Sequence, residues 1–146
     1  MKVSLTRRYR FAASHRLHTP RLSEEENQRV YGKCSNPYGH GHNYFVEVTV
    51  SGPVNTETGM IANLGQMDPF VQAHVLEAFD QKYLNEQVPE FAAAESLVPT
   101  TENLCYVIFD RLKKFPAARL ERVRIEETSN NSFEIEETSA PAAQII

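Results

Sequence analysis

Apolar side chains alternate with polar ones at the start of the chain and again after residue 40. From residue 3 to residue 15 the odd positions are mainly apolar or aromatic, with a break at Arg7, and the last of them is His15. Because successive side chains of a strand point to opposite faces, this period predicts a half-buried strand with His15 on its buried face. From His40 the even positions continue with His42, a tyrosine and three valines. They predict a second strand that carries both histidines on one face.

Two segments in the middle of the chain have the apolar spacing of amphipathic helices. Asp68 and Pro69 have the residue types of an N-cap and a first helical turn, and apolar residues follow at helical spacing. We therefore predict a helix that begins at this pair. The later segment PTTENLCYVIFDRLKKF opens with a capping threonine and places its apolar residues on one face, which predicts a second helix.

The last part of the chain returns to alternation. LERVRIEET and SFEIEET are predicted strands joined by the turn signal SNNS, so the order is strand, strand, helix, helix, strand, strand. This order indicates an α+β fold. We expect one domain over residues 1–138 and a loosely held tail over residues 139–146. The polar stretch from Thr19 to Gly39 is long for a connection, so we expect a functional loop there.

Length and charge narrow the class of protein. A chain of 146 residues suits one domain, and a large cleft would need a second subunit. The net charge is -4 and no basic cluster exceeds two adjacent residues, so we expect no nucleic acid and no membrane as partner. Two cysteines are too few for a disulfide framework, and the N-terminus lacks a signal-peptide pattern. We expect a cytoplasmic protein with free thiols and a small-molecule or protein partner.

His40 and His42 carry the main chemical signal. Imidazoles two residues apart on a strand lie on the same face, close enough to share one ion. His15, on the buried face of the first strand, can supply a third nitrogen. Three nitrogen ligands with one open position are typical of catalytic zinc, so Zn²⁺ is the predicted cofactor. The alternative is that these histidines only pack in the core or lie on the surface.

The two cysteines differ in their surroundings. Cys105 lies within the apolar helical segment, where a free cysteine is most often a small core residue. Cys34 lies in the polar loop beside Lys33, a few residues before the histidine pair. A nearby cation and a lysine both favour the thiolate. We therefore predict that Cys34 transfers a proton.

Five segments resemble a known family. FAASH, GKCSNPYGHGHNY, GMIANL, PTTEN and EETSNN are similar, in order and spacing, to the 6-pyruvoyl-tetrahydropterin synthase family. That family includes the 6-carboxy-tetrahydropterin synthases of queuosine biosynthesis, and the likeness runs from about Leu5 to Ile135. The long loop and GMIANL resemble the pyruvoyl branch more than the carboxy branch.

The resemblance implies a tunnelling fold, in which a four-stranded antiparallel sheet carries two helices on one face. In such proteins three subunits close a barrel of sheets, and two trimers stack into a hexamer with active sites at subunit interfaces. We therefore expect an oligomeric barrel and a homohexamer that is a dimer of trimers.

The resemblance also implies a role for each matching residue. The zinc ligands are His15, His40 and His42. The catalytic residues are Cys34, as the base, and Asp80. The substrate-binding residues are Thr100, Thr101, Glu102 and Glu127. Glu127 matches the carboxylate that anchors the pterin ring, and its parity with the apolar residues of its strand turns it inward, where a carboxylate needs a partner.

One position departs from the family pattern. Members usually have Asp-His-Lys where this chain has Asp80-Gln81-Lys82. A neutral amide holds a hydrogen bond but does not exchange a proton near pH 7, so Gln81 puts the catalytic relay in doubt. His74 and His18 are candidates to replace the missing histidine of the relay, although a lone histidine on a helix or loop usually has no catalytic role.

The implied activity is that of a carbon–oxygen lyase. It would convert 7,8-dihydroneopterin triphosphate to 6-pyruvoyl-tetrahydropterin and triphosphate, in tetrahydrobiopterin biosynthesis. The carboxy-forming branch is an alternative on the same substrate. Two further alternatives are a zinc-loaded pterin-binding protein without turnover and a structural zinc site that holds the long loop. The presence of Cys34 favours the enzyme, because neither of the others requires a thiol there.

Overall fold

Within the part of the chain that the structure describes, the sheet has five strands rather than the four that were predicted. The computed structural model describes residues 1–93 and 96–138, and the predicted tail over 139–146 lies outside them. The strands are β1 Val3–His15, β2 His40–Gly52, β3 Lys82–Tyr83, β4 Arg119–Thr128 and β5 Asn131–Glu136. Their order is β3-β1-β2-β4-β5, and the long strands pair antiparallel as predicted. The two-residue β3 pairs parallel with β1 at Ala13 and Ser14, which makes the sheet mixed.

Two long helical segments cover one face of this sheet. The first runs without a break through α2 Leu64–Val71, a π-helical turn Gln72–Leu76 and α3 Glu77–Phe79, and the second is α6 Thr101–Leu112. Shorter helices are α1 Glu24–Tyr31, α4 Leu84–Gln87 and α5 Pro89–Ala92. Between residues 1–93 and 96–138, no helix combines the length and the apolar character that crossing a membrane requires.

The core lies between the helices and the face of the sheet that the alternation predicts. Along β2 the even positions from Tyr44 to Val50 are at most 2% exposed, and Val123 and Ile125 of β4 are fully buried. They pack with Leu104 and Ile108 of α6, both 0% exposed. The predicted parity of the long strands is therefore confirmed.

The predicted start of the first long helix is wrong. The helix begins at Leu64, and the side chain of Asn63 accepts a hydrogen bond from the amide of Gly65 at 2.8 Å as its cap. Asp68 lies inside the helix instead. Its carboxylate receives Arg7 Nη2 at 2.9 Å and the hydroxyl of Tyr9 at 2.7 Å, so it binds side chains of β1 rather than helix amides.

The polar stretch before β2 contains structure that the sequence did not predict. Its residues form α1 and then a 3₁₀ turn, Gly32–Ser35. Ser23 caps α1 by accepting from the amide of Glu26 at 3.1 Å. The side chain of Asn27 is buried and binds backbone groups of the preceding loop, so this stretch is a folded unit that ends next to the histidines.

Candidate functional site

Three imidazoles converge where β1 ends and β2 begins. In the register of the two strands His15 lies opposite His40, and His42 lies opposite Ala13. One nitrogen of each of the three rings lies within 4.8 Å of the others, and Nε2 of His15 is 3.0 Å from Nε2 of His40. His15 is 1% exposed, while His40 and His42 are half-buried. The prediction that these three side chains lie together is thus confirmed.

A glycine lets the chain enter β2 close to His15. Gly39 has a φ of +71°, in the left-handed region that side chains with a Cβ rarely adopt. A Cβ at this position would lie 3.0 Å from the carbonyl oxygen of His15 and 3.2 Å from the ring of Tyr83. A side chain at residue 39 would therefore strain the turn that brings His40 opposite His15.

A backbone carbonyl fixes the orientation of the most buried ring. Nδ1 of His15 lies 2.7 Å from the carbonyl oxygen of Pro99, and a carbonyl can only accept, so Nδ1 carries the proton. Nε2 of His15 then carries a lone pair, and it lies 3.0 Å from Nε2 of His40. The bond from Nδ1 to the Pro99 carbonyl is of the kind that metal-binding histidines usually make with the nitrogen that does not bind the metal.

The histidine cluster fits a metal ion. Burial is the main cause that lowers the pKa of His15 to about 4, and the neighbouring histidines lower it further. Burial also lowers the pKa of His40. Neutral imidazole is the form that binds metals. Nε2 of His42 is buried and has no hydrogen-bond partner among the residues described, and such a buried nitrogen is costly unless something binds it.

Glu127 lies beside the histidines, as its parity predicted. One carboxylate oxygen is 3.4 Å from Nε2 of His42 and 3.7 Å from Nε2 of His15. The other oxygen accepts from the side-chain amide of Asn131 at 2.9 Å. The side chain is 15% exposed, so a bound molecule can reach it. Asn131 belongs to the segment EETSNN but was not predicted as a site residue; it is the first residue of β5 and reaches Glu127 across the turn that follows β4.

Tyr44 packs against the buried side of the histidine cluster and was not predicted as a site residue. It is 0% exposed, stacks on Phe11 at 5.1 Å, and meets the edges of His42 and His15. Burial raises the pKa of its hydroxyl well above the usual range, and the charge of Glu127 adds to this. Its place on the same parity as the two histidines of β2 was the signal that could have identified it.

The predicted substrate-binding residues at the start of α6 have different environments. Thr100 is the N-cap, and its hydroxyl accepts from the amide of Asn103 at 3.2 Å. Thr101 is 2% exposed, and in the described part of the chain its hydroxyl has no hydrogen-bond partner. Glu102 is exposed in the first turn. Because Pro99 binds His15, this helix start is tied directly to the cluster.

Cys34 lies outside the histidine cluster but next to the end of β1. It is half-buried in the 3₁₀ turn, and its carbonyl accepts from the amide of Leu17 at 2.8 Å. Cys105 is 3% exposed in α6, and burial raises the pKa of its thiol to about 12. The prediction that Cys105 is a core residue is confirmed.

Asp80 and Gln81 lie on the outer edge of β1 and are not in the cluster. The carboxylate of Asp80 accepts from the amide of Ala12 at 2.9 Å, and the amide of Gln81 donates to the Ala12 carbonyl at 2.7 Å. Gln81 has a φ of +60°, a conformation that costs energy for a residue with a Cβ. It lines a groove of about 480 Å³ together with His42 and Asn43.

The two other histidines of the chain lie apart from the cluster. Nε2 of His18 is 3.0 Å from the carboxylate of Glu24. Nδ1 of His74 is 2.9 Å from the carbonyl of Phe70, one helical turn earlier, and its ring stacks on that phenylalanine. Neither belongs to the described group that could hold a metal.

We expect the metal-free protein to lose stability as the pH falls from about 6.5 to 4. The pKa of His15 is about 4 in the folded protein and about 6.5 in an unfolded chain, so the unfolded chain binds more protons in this window. Stability therefore rises with pH there, by roughly 3 kcal/mol in total from this group. Denaturant unfolding in the presence of a chelator at several pH values measures it. His15→Gln should flatten the profile and His18→Gln should not; parallel profiles for His15→Gln and the wild type would contradict the assignment.

Comparison with known proteins agrees with this geometry. The family model for 6-pyruvoyl tetrahydropterin synthase matches residues 4–138. A 6-pyruvoyl tetrahydrobiopterin synthase from Poecilia reticulata is 48% identical over 128 residues, which cover 87% of this chain and 85% of the relative. The Homo sapiens protein of the same name is 44% identical over 131 residues, which cover 89% and 88%. The solved structure of Caenorhabditis elegans 6-pyruvoyl tetrahydropterin synthase has a TM-score of 0.88 at 35% identity, over 94% of this chain and 97% of that one. The chain therefore belongs to the 6-pyruvoyl tetrahydropterin synthase family.

Proposed function

We propose that this protein is a zinc-dependent 6-pyruvoyl-tetrahydropterin synthase. It would act as a carbon–oxygen lyase that converts 7,8-dihydroneopterin triphosphate to 6-pyruvoyl-tetrahydropterin and triphosphate. The observation that supports this most is the cluster of His15, His40 and His42, which lies beside the partly exposed carboxylate of Glu127. Family membership supports a pterin substrate.

The histidine cluster is the proposed zinc site. When bound, zinc would act as a Lewis acid that polarises the side-chain hydroxyls of the substrate and acidifies the adjacent C–H groups. The chain's own contribution is orientation. The carbonyl of Pro99 holds the ring of His15, and Tyr44 packs against His15 and His42, so these two rings are oriented by the chain itself.

Cys34 is the proposed base. Removal of a proton from the substrate side chain by its thiolate would start the internal redox rearrangement of the dihydropterin and the loss of triphosphate. The position of the Cys34 turn supports this role, because a backbone hydrogen bond ties Cys34 to Leu17, two residues after His15.

Glu127 is the proposed anchor for the pterin ring. A carboxylate can accept two parallel N–H bonds from the guanidine-like edge of a pterin. Glu127 is held from one side by Asn131 and faces the histidines with its other oxygen, so a ring bound to it would carry its side chain near the metal site. Thr100, Thr101 and Glu102 are proposed to line the same pocket from the start of α6.

The alternative function with a specific observation in its favour is a zinc-loaded pterin-binding protein with impaired turnover. Asp80 is the second proposed catalytic residue, and its neighbour is Gln81, an amide where the family pattern has a histidine. Neither His18 nor His74 lies at the cluster. General acid–base catalysis contributes about 100- to 10,000-fold in rate. A protein that has lost it would therefore bind pterin as an active synthase does, but its turnover would be far lower.

We propose a cytoplasmic homohexamer as the active form. From Val3 to Phe11, β1 pairs on one side only among the residues described, and β5 pairs only with β4. Unpaired strand edges of this length are normally covered, and pairing between copies would cover both and continue the sheet into a barrel. Both cysteines are free, which suits a reducing compartment.

Replacing Glu127 tests the pterin anchor. We expect Glu127→Gln to weaken the binding of neopterin about 10- to 150-fold, the usual effect of losing a hydrogen bond to a charged group, with zinc content unchanged. Glu126→Gln is the matched control, since Glu126 faces the other side of the sheet and pairs with Arg8 at 3.2 Å. Fluorescence titration and metal analysis give both quantities. Loss of zinc without loss of pterin affinity in Glu127→Gln would make Glu127 a metal ligand and contradict the anchor.

A further inference from the structure

We infer that Arg16 holds the Cys34 turn against the end of β1 and so positions the Cys34 thiol relative to the histidine cluster. The inference rests on the proposed role of Cys34 as the base. Arg16 follows His15 directly in the chain and is not one of the proposed metal-binding, catalytic or substrate-binding residues.

The side chain of Arg16 reaches the turn that carries Cys34. Its Nε donates to the carbonyl of Ser35 at 3.0 Å, and Nη2 lies 3.9 Å from the carboxylate of Glu24 in α1. The next residue adds a second link, because the amide of Leu17 donates to the carbonyl of Cys34 at 2.8 Å. Two consecutive residues after β1 therefore bind two consecutive carbonyls of the turn.

The backbone of Arg16 is itself fixed. Its amide donates to Oδ1 of Asn85 at 2.8 Å, and its carbonyl accepts from Nδ2 of the same side chain at 2.8 Å. Asn85 belongs to α4, which follows β3. Both backbone groups of Arg16 are bound, so its backbone stays in place next to His15. A shorter side chain at residue 16 would therefore shift the Cys34 turn rather than the strand.

The turn that carries Cys34 is packed against the protein at Ser35. Ser35 is 0% exposed, while Cys34 beside it is half-buried. A displacement of about 1 Å between a reacting group and its target can cost roughly 100-fold in rate. Arg16 is thus a positioning residue that acts through Cys34.

The first test is the rate at which iodoacetamide alkylates Cys34 in the folded, zinc-loaded protein. At about pH 9.5 an ordinary thiol is mostly ionised, so the rate reports access. We expect Arg16→Gln to raise the rate severalfold by releasing the turn, and Arg16→Lys, which keeps a donor and the charge, to stay near the wild type. Arg21→Gln is the matched control, since Arg21 donates to the carbonyl of Ser96 at 3.4 Å. Buried Cys105 reports global unfolding, and an unchanged Cys34 rate in Arg16→Gln overturns the inference.

The second test separates positioning from a merely structural role. We expect Arg16→Gln to lower kcat about 10- to 100-fold with KM and zinc content unchanged, and Arg16→Lys to restore most of it. Asn85→Ala should show the same pair of changes and serves if Arg16→Gln does not fold. Faster alkylation with wild-type kcat overturns the inference. If the wild type itself has no turnover, the proposed function fails. The alkylation rates alone then support or overturn the inference that Arg16 holds the Cys34 turn.

Discussion

Replacing Cys34 with alanine is expected to lower kcat about 100- to 10,000-fold, because a positioned base contributes that much to a proton transfer. KM and zinc content should stay near the wild type, since Cys34 lies outside the histidine cluster. Steady-state kinetics of triphosphate release, with metal analysis of the same preparation, measures all three quantities.

The matched control for this change is Cys105→Ala. Cys105 is buried in α6, and its thiol contacts the carbonyl of Val123 at 3.4 Å, so its loss affects packing and leaves the site intact. The folded Cys105→Ala protein should have the same kcat as the wild type. Wild-type turnover in Cys34→Ala would remove the thiol from the mechanism and would require another base.

Replacing His42 with alanine is expected to weaken zinc binding by more than about 100-fold, since losing only the partner of a metal ligand already costs roughly 10- to 100-fold. In the wild type, free zinc at about 1,000 times its Kd should raise the free energy of unfolding by about 4 kcal/mol. Most of this gain should be absent in His42→Ala. Competition with a chromophoric chelator gives the affinity, and denaturant unfolding with and without zinc gives the stabilisation.

His18→Ala is the control for the zinc experiment. Its ring pairs with Glu24 outside the cluster, so zinc affinity should be unchanged. Equal loss of affinity in both variants would point to a global effect rather than a site. A structural zinc site would give a third result, in which chelation unfolds the loop before β2 and leaves every pterin signal unaltered.

The faces on which the three histidines lie could be predicted, because they depend only on strand parity. A period of two places His15 on the buried face of β1 and both His40 and His42 on one face of β2. The observed antiparallel register of β1 and β2 then places His15 opposite His40. The same parity carries Glu127 inward on β4, where it meets the cluster.

The elements that were missed have weak local signals or depend on distant contacts. α1 has no apolar stripe, although Ser23 and Glu26 have the spacing of a capping box. β3 has two residues and exists because residues of the preceding turn bind Ala12. The start of the first long helix was misplaced because Asp68 and Pro69 imitate a helix N-terminus, while Asn63 provides the actual cap.

The supporting contacts of the site could not be predicted, since they join residues far apart in the chain. The carbonyl of Pro99 reaches His15 across 84 positions, and the side chain of Asn85 reaches Arg16 across 69. Neither pair belongs to a motif with fixed spacing. Such contacts follow only from the packing of helices on the sheet, and the chain orients its histidines and its Cys34 turn through them.

Turnover of 7,8-dihydroneopterin triphosphate by the zinc-loaded wild-type protein tests the proposed function most directly. Triphosphate release is followed in time, and the pterin product is identified by mass. We expect stoichiometric release with a 6-pyruvoyl product, which would also show that Gln81 is tolerated. A 6-carboxy product would assign the other branch of the family. No release from folded, zinc-loaded protein that still binds pterin would contradict the catalytic proposal and leave a pterin-binding protein.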